Sequence, residues 1–366
     1  MVQNTARAFE WKLSAETPLE DAVARVLKGR LKDVEKLVRK HRRTGKRPGA
    51  KFIHALRVSC RRAEAGLEMF EQWLPARRVK KLRKRLRDMR RSAGRVRICD
   101  VQSEMLRTDA RRAGGDWSAA VEFAVAEWRR ERSKAMNSAE KSLRRTKPAK
   151  LRKNRKQLFR NVTGDAVRLG DVVAARVPVL VDELLVSAAD DLRHVRALHQ
   201  CRLATKRLRY SVEAIAQALD GESAERWLGG LETLSGRLGA INDTHEILVE
   251  LHCLVAAIQE YGNDGMKGGD RKSVAAGLED LVEMYQLRLT AQCDEYRSWW
   301  QGFLAEDILG TLERTASRAG WREGHILKAF EARTHWIENG KARGKVNHAD
   351  PHEQQLVEAG RGDEGS

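Results

Sequence analysis

HALRVSCRR, residues 54–62, returns 145 positions later as HQCRLATKR, residues 199–207. Both stretches fit His-x-x-Arg-x-x-x-(Arg/Lys)-Arg. The same offset carries Gly94 onto Gly239, Arg97 onto Asn242 and Asp100 onto His245. Self-similarity at a fixed offset marks a duplicated structural unit. The repeat is too long for one turn of a solenoid, so it predicts two homologous half-domains.

Each motif resolves into faces when its residues are advanced by ~100° along a helix. Ile53, Leu56, Cys60, Ala63, Leu67 and Phe70 fall in one arc, and Leu198, Cys201, Leu208, Val212, Ile215 and Leu219 fall in nearly the same arc. Beside the apolar arc runs a second stripe. In the first copy it is His54, Arg57 and Arg61; in the second it is His199, Arg202 and Lys206, with Arg209 continuing it. Cations that flank a core stripe, rather than oppose it, are predicted to line a groove or channel.

Composition narrows the fold and the partner. The chain has 366 residues, 42% of them hydrophobic and 33% charged, with only six prolines. Leu, Ala, Arg, Lys and Glu dominate while strand-forming residues are scarce, which predicts an all-α protein. A formal net charge of +19 points to a polyanion. The five cysteines are scattered without a Cys-x-x-Cys pair, which fits reduced thiols in a cytoplasmic protein and supports neither a zinc site nor a redox motif. No apolar run approaches ~18 residues, so neither a signal peptide nor a membrane span is expected.

Residues 1–15 read as an irregular lead-in. Helices are predicted at about 17–41, 51–73, 77–91, 97–112 and 117–141, and again at 171–189, 195–219, 223–238, 243–261, 273–303 and 304–337. Gly94 and Gly239 are each placed in a turn, with Asp100 and Asp243 as helix-capping residues shortly after it. The stretch 262–272, GNDGMKGGDRK, reads as a loop. The domain is expected over 16–337, as halves at about 16–146 and 165–337 joined by a basic linker. Residues 340–366 lack periodicity and are expected to be disordered. Lys141 to Arg160 holds ten basic residues and no acid, interrupted by Pro148, and is open to reading as a linker or as a polyanion arm.

At the motifs the sequence resembles the CHAD family, the conserved-histidine α-helical domain. The likeness rests on His54, Arg57, Arg61 and Arg62 with Gly94-x-x-Arg97-x-x-Asp100-Val101. It rests equally on His199, Arg202, Lys206, Arg207, Arg209 and Tyr210 with Gly239-x-x-Asn242-Asp243. The resemblance implies two helical bundles related by a pseudo-twofold, a central basic groove, and binding of inorganic polyphosphate. It would make His54, Arg57, Arg61, Arg62, Arg97, His199, Arg202, Lys206, Arg207 and Arg209 contacts to phosphate. Lys80, Arg83, Arg87 and Arg90 join them, because their helix directly follows the first motif. The chain departs from the family pattern in two places. The helix at 77–91 carries ten basic residues and one acid, whereas its counterpart at 222–236 has only Arg226 among three glutamates, which predicts a lopsided groove. The family's Arg-Asp-x-Asp-Val is here Arg97-Ile98-Cys99-Asp100-Val101, which argues against a metal role.

Arginine suits such a site because its planar guanidinium forks onto phosphate oxygens and stays charged when partly buried. No Walker loop, catalytic Ser/His/Asp order or His-Glu-x-x-His occurs, nor the carboxylate cluster that metal-assisted phosphoanhydride hydrolysis needs. A binding protein without cofactor is therefore expected, with purposes such as granule targeting, storage or regulation left open. Two alternatives stand beside it. A nonspecific nucleic-acid binder would interleave aromatics for base stacking, and the stripes offer only Tyr210. A phosphoryl-transfer enzyme would use His54 or His199 as nucleophile.

Overall fold

Leu19, Val23, Val26, Leu27, Leu31, Val34 and Val38, spaced by three and four, are all buried along one side of the first helix, and the same logic builds the rest of the chain. The structure is a computed structural model that describes residues 13–114, 117–164, 166–189, 194–219, 221–261 and 268–303. These contain ten α-helices and no strand. The first six are α1 (Leu19–Thr44), α2 (Ala50–Met69), α3 (Ala76–Ser92), α4 (Gly94–Ala113), α5 (Ser118–Arg145) and α6 (Pro148–Leu158). The remaining four are α7 (Leu169–Ala189), α8 (Val195–Ile215), α9 (Gly221–Tyr261) and α10 (Gly268–Phe303). All of them lie in one compact unit. The expected helix at 304–337 and the tail beyond it lie outside the described residues.

Helices α1 and α2 cross closely at Gly66, where a Cβ would stand 2.8 Å from Leu27 Cδ2. A second core is shared by the two sequence halves. Cys99, Leu106, Ala124 and Trp128 of α4 and α5 interlock with Ile247, Leu251, Leu278 and Tyr285 of α9 and α10. The halves are therefore one body: neither buries its apolar faces alone.

Three sequence expectations are corrected. The Lys141–Arg160 stretch is no linker. Helix α5 runs on to Arg145, and Pro148 then takes the first position of α6, where its missing N–H costs nothing. Leu151 and Leu158 bury α6 against α1, and Arg152 and Arg155 both reach the buried Glu35 of α1. Next, α10 begins at Gly268, so the loop expected over 262–272 does not extend past it; residues 262–267 are outside the description. Finally, Gly239 makes no turn. Helix α9 runs unbroken through it over 41 residues, while the equivalent Gly94 opens a new helix, separated from the end of α3 by Ala93 alone. Asp100 and Asp243 consequently lie within helices and cap nothing; Asp100 instead accepts from Arg132 Nε at 2.6 Å.

Candidate polyanion-binding site

Packing of α2 directly on α8 decides where the two charged stripes go. Arg62 on α2 pairs with Glu213 on α8 at 2.7 Å, and Arg207 on α8 reaches Glu68 on α2 at 3.5 Å. Arg62 and Arg207 are equivalent at the repeat offset, and so are Glu68 and Glu213. The contact is reciprocal, each motif helix offering the same arginine and glutamate to the other. Arg207 also pairs with Glu183 of α7. These two arginines, expected at phosphate, are thus held by glutamates across the helix crossing.

The remaining stripe residues converge on one another. Arg57 and Arg61 of α2 lie within electrostatic reach of Arg202, and Arg61 also of Lys206 of α8, with Arg90 of α3 and Arg97 of α4 alongside. Burial, reinforced by Arg61, Arg90, Arg97 and Arg202, lowers the Arg57 guanidinium to about 10. The Lys206 ammonium is pushed down to about 6, chiefly by burial and then by Arg202 and Arg61, against a partial counter-effect from Asp243. Burial also lowers Arg61, which hydrogen-bonds Tyr210. The cations of the cluster outnumber the acids beside them, Glu64 at Arg90 and Asp243 at Arg202, and such an excess of like charge favours a nearby anion.

The backbone positions these groups. At the end of α3 the Ala93 N–H bonds the Met89 and Arg91 carbonyls, and Arg57 Nη1 donates to the Arg90 carbonyl between them at 2.7 Å. The same guanidinium lies 3.3 Å from where a Gly94 Cβ would stand. In the second half the unbroken α9 frees no such carbonyl. Arg202 there approaches the Asp243 carboxylate at 3.6 Å. Burial raises the Asp243 pKa, with Arg202 pulling the other way.

The two histidines are exposed and differ in surroundings. His54 faces Arg97, Arg57 and Arg61, and burial together with these cations lowers its pKa. His199 Nδ1 lies 2.9 Å from Asn242 Oδ1, while Asn242 Nδ2 donates to Glu246 Oε1 at 2.8 Å. With the amide so oriented, His199 Nδ1 carries the proton and donates. Its Nε2 is then an acceptor in the neutral ring and a donor only in the imidazolium.

On α3, Lys80 and Arg87 are exposed, Arg83 pairs with Glu71 at 2.6 Å, and Arg90 pairs with Glu64 at 2.9 Å. Arg209 stacks over the ring of Tyr210 at 4.8 Å. In the matching stretch of α9, Arg237 pairs with Glu295 at 2.6 Å and stacks on Trp299. Among the described residues, no three His, Cys, Asp or Glu side chains converge as a metal site, and no helix is long and apolar enough to cross a membrane.

Sequence reasoning missed Glu68, Glu213, Asp243 and the Asn242–Glu246 support of His199. The glutamates carried a usable signal, since they obey the same 145-residue offset as the motif. Asp243 did not, because its role follows from an unbroken helix where a turn was expected.

The model of the CHAD domain family matches residues 25–251. Among solved structures, PptA from Streptomyces chartreusis superposes with a TM-score of 0.57 at 19% identity, over 78% of this chain and 100% of that one. The crystal structure of the CHAD domain from the plant Ricinus communis gives 0.53 at 20% identity, over 73% and 93%. At such identities these two likenesses speak for the fold. No curated protein matches the sequence.

Proposed function

From the premise that this chain belongs to the CHAD domain family, we propose that it binds inorganic polyphosphate in the groove where α2 and α8 meet, and that it does so without catalysis. The observation that carries the reading is the convergence of Arg57, Arg61, Arg202 and Lys206 from two repeats, joined by Arg97 and opposed nearby by Asp243 and by Glu64, which pairs with Arg90. A linear polymer of phosphates has closely spaced negative charge and no base to read. Cation-to-oxygen pairing along a track is sufficient to recognise it, and guanidinium forks supply that pairing. The reciprocal Arg62–Glu213 and Arg207–Glu68 pairs support a local twofold between the motif helices, which would present the track symmetrically from both halves. Retention at polyphosphate granules, storage and regulation are all uses consistent with such a groove.

Stacking argues against single-stranded nucleic acid. The one aromatic of the stripes, Tyr210, is buried beneath Arg209 and engaged by Arg61. The test is competition among long-chain polyphosphate, single-stranded DNA and heparin at matched charge and several salt concentrations. Polyphosphate should win at physiological salt. Equal or stronger binding of DNA would overturn the proposal, and release of orthophosphate by the purified protein would overturn its non-catalytic part.

A further inference from the structure

Two segments about a hundred residues apart in sequence build a basic surface from residues that take no part in the groove. Residues 42–47, RRTGKR, span the last turn of α1 and the residues after it, and residues 141–150, KSLRRTKPAK, span the end of α5 and the start of α6. Neither contains an acid or an aromatic residue. Gly45 closes α1 in the left-handed conformation at φ +61°, its N–H returning to the His41 carbonyl at 3.0 Å. That turn directs the following residues toward α5. Arg47 Nη2 donates to the Ser133 carbonyl at 2.7 Å, and Arg42 Nη1 donates to the Arg144 carbonyl in the last turn of α5 at 2.8 Å. These bonds fix the two segments side by side. A concavity of about 460 Å³ lies on α5, lined by Asn137, Glu140, Lys141, Arg144 and Arg145. Its one carboxylate, Glu140, is engaged by Arg144 at 3.4 Å.

A run of charge on one helix is ordinarily a solvated face, and like charges on a folded surface repel one another. Here the chain gathers exposed Arg42, Arg43, Lys46, Lys141 and Arg145 from two segments, which the guanidinium bonds of Arg42 and Arg47 to backbone hold together. Repulsion that is held in place in this way is relieved by an anion. We propose that this surface is a second binding face for phosphate polymer, engaging long chains in addition to the groove. The polymer class rests on the reading of the groove, whereas the face rests on its own geometry. The absence of aromatics again favours a phosphate chain over single-stranded nucleic acid. One ligand chain touching both faces gains affinity through effective concentration, so the second face distinguishes long polymers from short ones.

The experiment replaces Arg43, Lys46, Lys141 and Arg145 together by glutamine, leaving Arg42 and Arg47, which hold the loop, in place. Circular dichroism checks the fold of the variant. Affinity for long-chain polyphosphate and for tripolyphosphate is then measured across a salt series, beside a groove variant, Arg61→Ala with Lys206→Ala. The quadruple variant should lose roughly tenfold for the long chain and keep its tripolyphosphate affinity. Its salt slope should fall by roughly 0.7 for each phosphate contact removed. The groove variant should lose tripolyphosphate binding and retain weak, salt-sensitive long-chain binding. Unchanged long-chain affinity and slope in the quadruple variant would overturn the second face while leaving the groove intact. Wild-type protein that ignores both polymers would overturn both proposals. Selective loss of duplex DNA binding in the quadruple variant, with polyphosphate unaffected, would assign the face to another partner and also overturn this one.

Discussion

Arg57 and Arg202 hold the same place in the two motifs and meet different company. Arg57 leans on a helix end and donates to the Arg90 carbonyl, a neutral partner that leaves its charge uncancelled. Arg202 lies beside the Asp243 carboxylate. The difference traces to one backbone event, the break between α3 and α4 that has no counterpart in α9. It is compounded by two exchanges at the repeat offset: Arg97 becomes Asn242, and Ile98 becomes Asp243. The first half therefore supplies surplus positive charge, and the second supplies charge that is partly balanced and a histidine that is oriented. Duplication preserved the motif while the helix that follows it set the electrostatics.

If that comparison is right, first-half substitutions cost most. Arg57→Ala or Arg61→Ala should each weaken polyphosphate binding roughly 10- to 100-fold, the worth of a charge-assisted contact of ~1.5–3 kcal/mol. Arg202→Ala should cost only a few-fold, because Asp243 already offsets it. Asp243→Asn should strengthen binding and leave the protein folded. Isothermal titration of the four variants decides the matter, and equal losses at Arg57 and Arg202 would break the asymmetry.

Lys206 supplies the next effect, on stability. Its amine is held near 6 in the folded protein against an ordinary value of 10.5. Between those values the unfolded chain binds more protons, so stability should rise with pH across that window. Lys206→Met removes an amine that must give up its proton on folding. It should raise stability near neutral pH by about 1 kcal/mol or more and flatten the pH dependence above 6, while weakening polyphosphate binding. Thermal unfolding measured from pH 6 to 9 reads both; a slope unchanged by the substitution would show that Lys206 carries no such penalty.

The sequence made the all-α fold, the duplication, the core arc and the cationic stripe readable, because each depends on a helical period that local residues set. Ile53, Leu56, Cys60, Ala63, Leu67 and Phe70 are all buried as their spacing requires. What could not be read was which glycine breaks a helix. Gly94 and Gly239 are locally alike, and tertiary packing decides between them. With the break unknown, Asp243 looked like a cap and Arg202 like a free cation. The glutamate partners of Arg62 and Arg207 could not be read for a related reason: they lie on the other motif helix, 151 and 139 residues away, and only the packing of α2 on α8 brings them together.

A smaller effect separates the histidines. His199 donates through Nδ1 to Asn242, so its Nε2 can donate to phosphate only when the ring is protonated. His54 lacks that amide and sits among cations that disfavour its charged form. Binding should therefore tighten as pH falls through the imidazole range, and a bound anion favours protonation further. The Lys206 amine, held near 6, gains its proton in the same window, so the histidines are compared in a Lys206→Met background, where His199→Gln should remove more of the remaining pH dependence than His54→Gln. Asn242→Ala should let the ring turn and blunt the dependence without abolishing binding. An equal loss of pH dependence in the two glutamine variants would sink the distinction.

The smallest effect tests the helix break itself. Glycine inside a helix costs roughly 0.5–1 kcal/mol relative to alanine, through the backbone freedom that folding removes. Gly239 lies within α9, and a Cβ there meets nothing within 4 Å. Gly239→Ala should thus recover most of that energy and leave polyphosphate affinity unaltered. Gly94 begins α4, where the propensity gain is less, and its added Cβ would press on Arg57 Nη1 at 3.3 Å. The same Nη1 donates to the Arg90 carbonyl, so its displacement would strain that bond. Gly94→Ala should therefore give little or no stabilisation and weaken polyphosphate binding by a few-fold. Unfolding midpoints and binding isotherms of the two variants, measured side by side, address the same position in each repeat. If Gly94→Ala stabilised as much as Gly239→Ala and bound normally, Arg57 would not depend on the break, and the electrostatic difference between the halves would have to arise from the Arg97 and Asp243 exchanges alone.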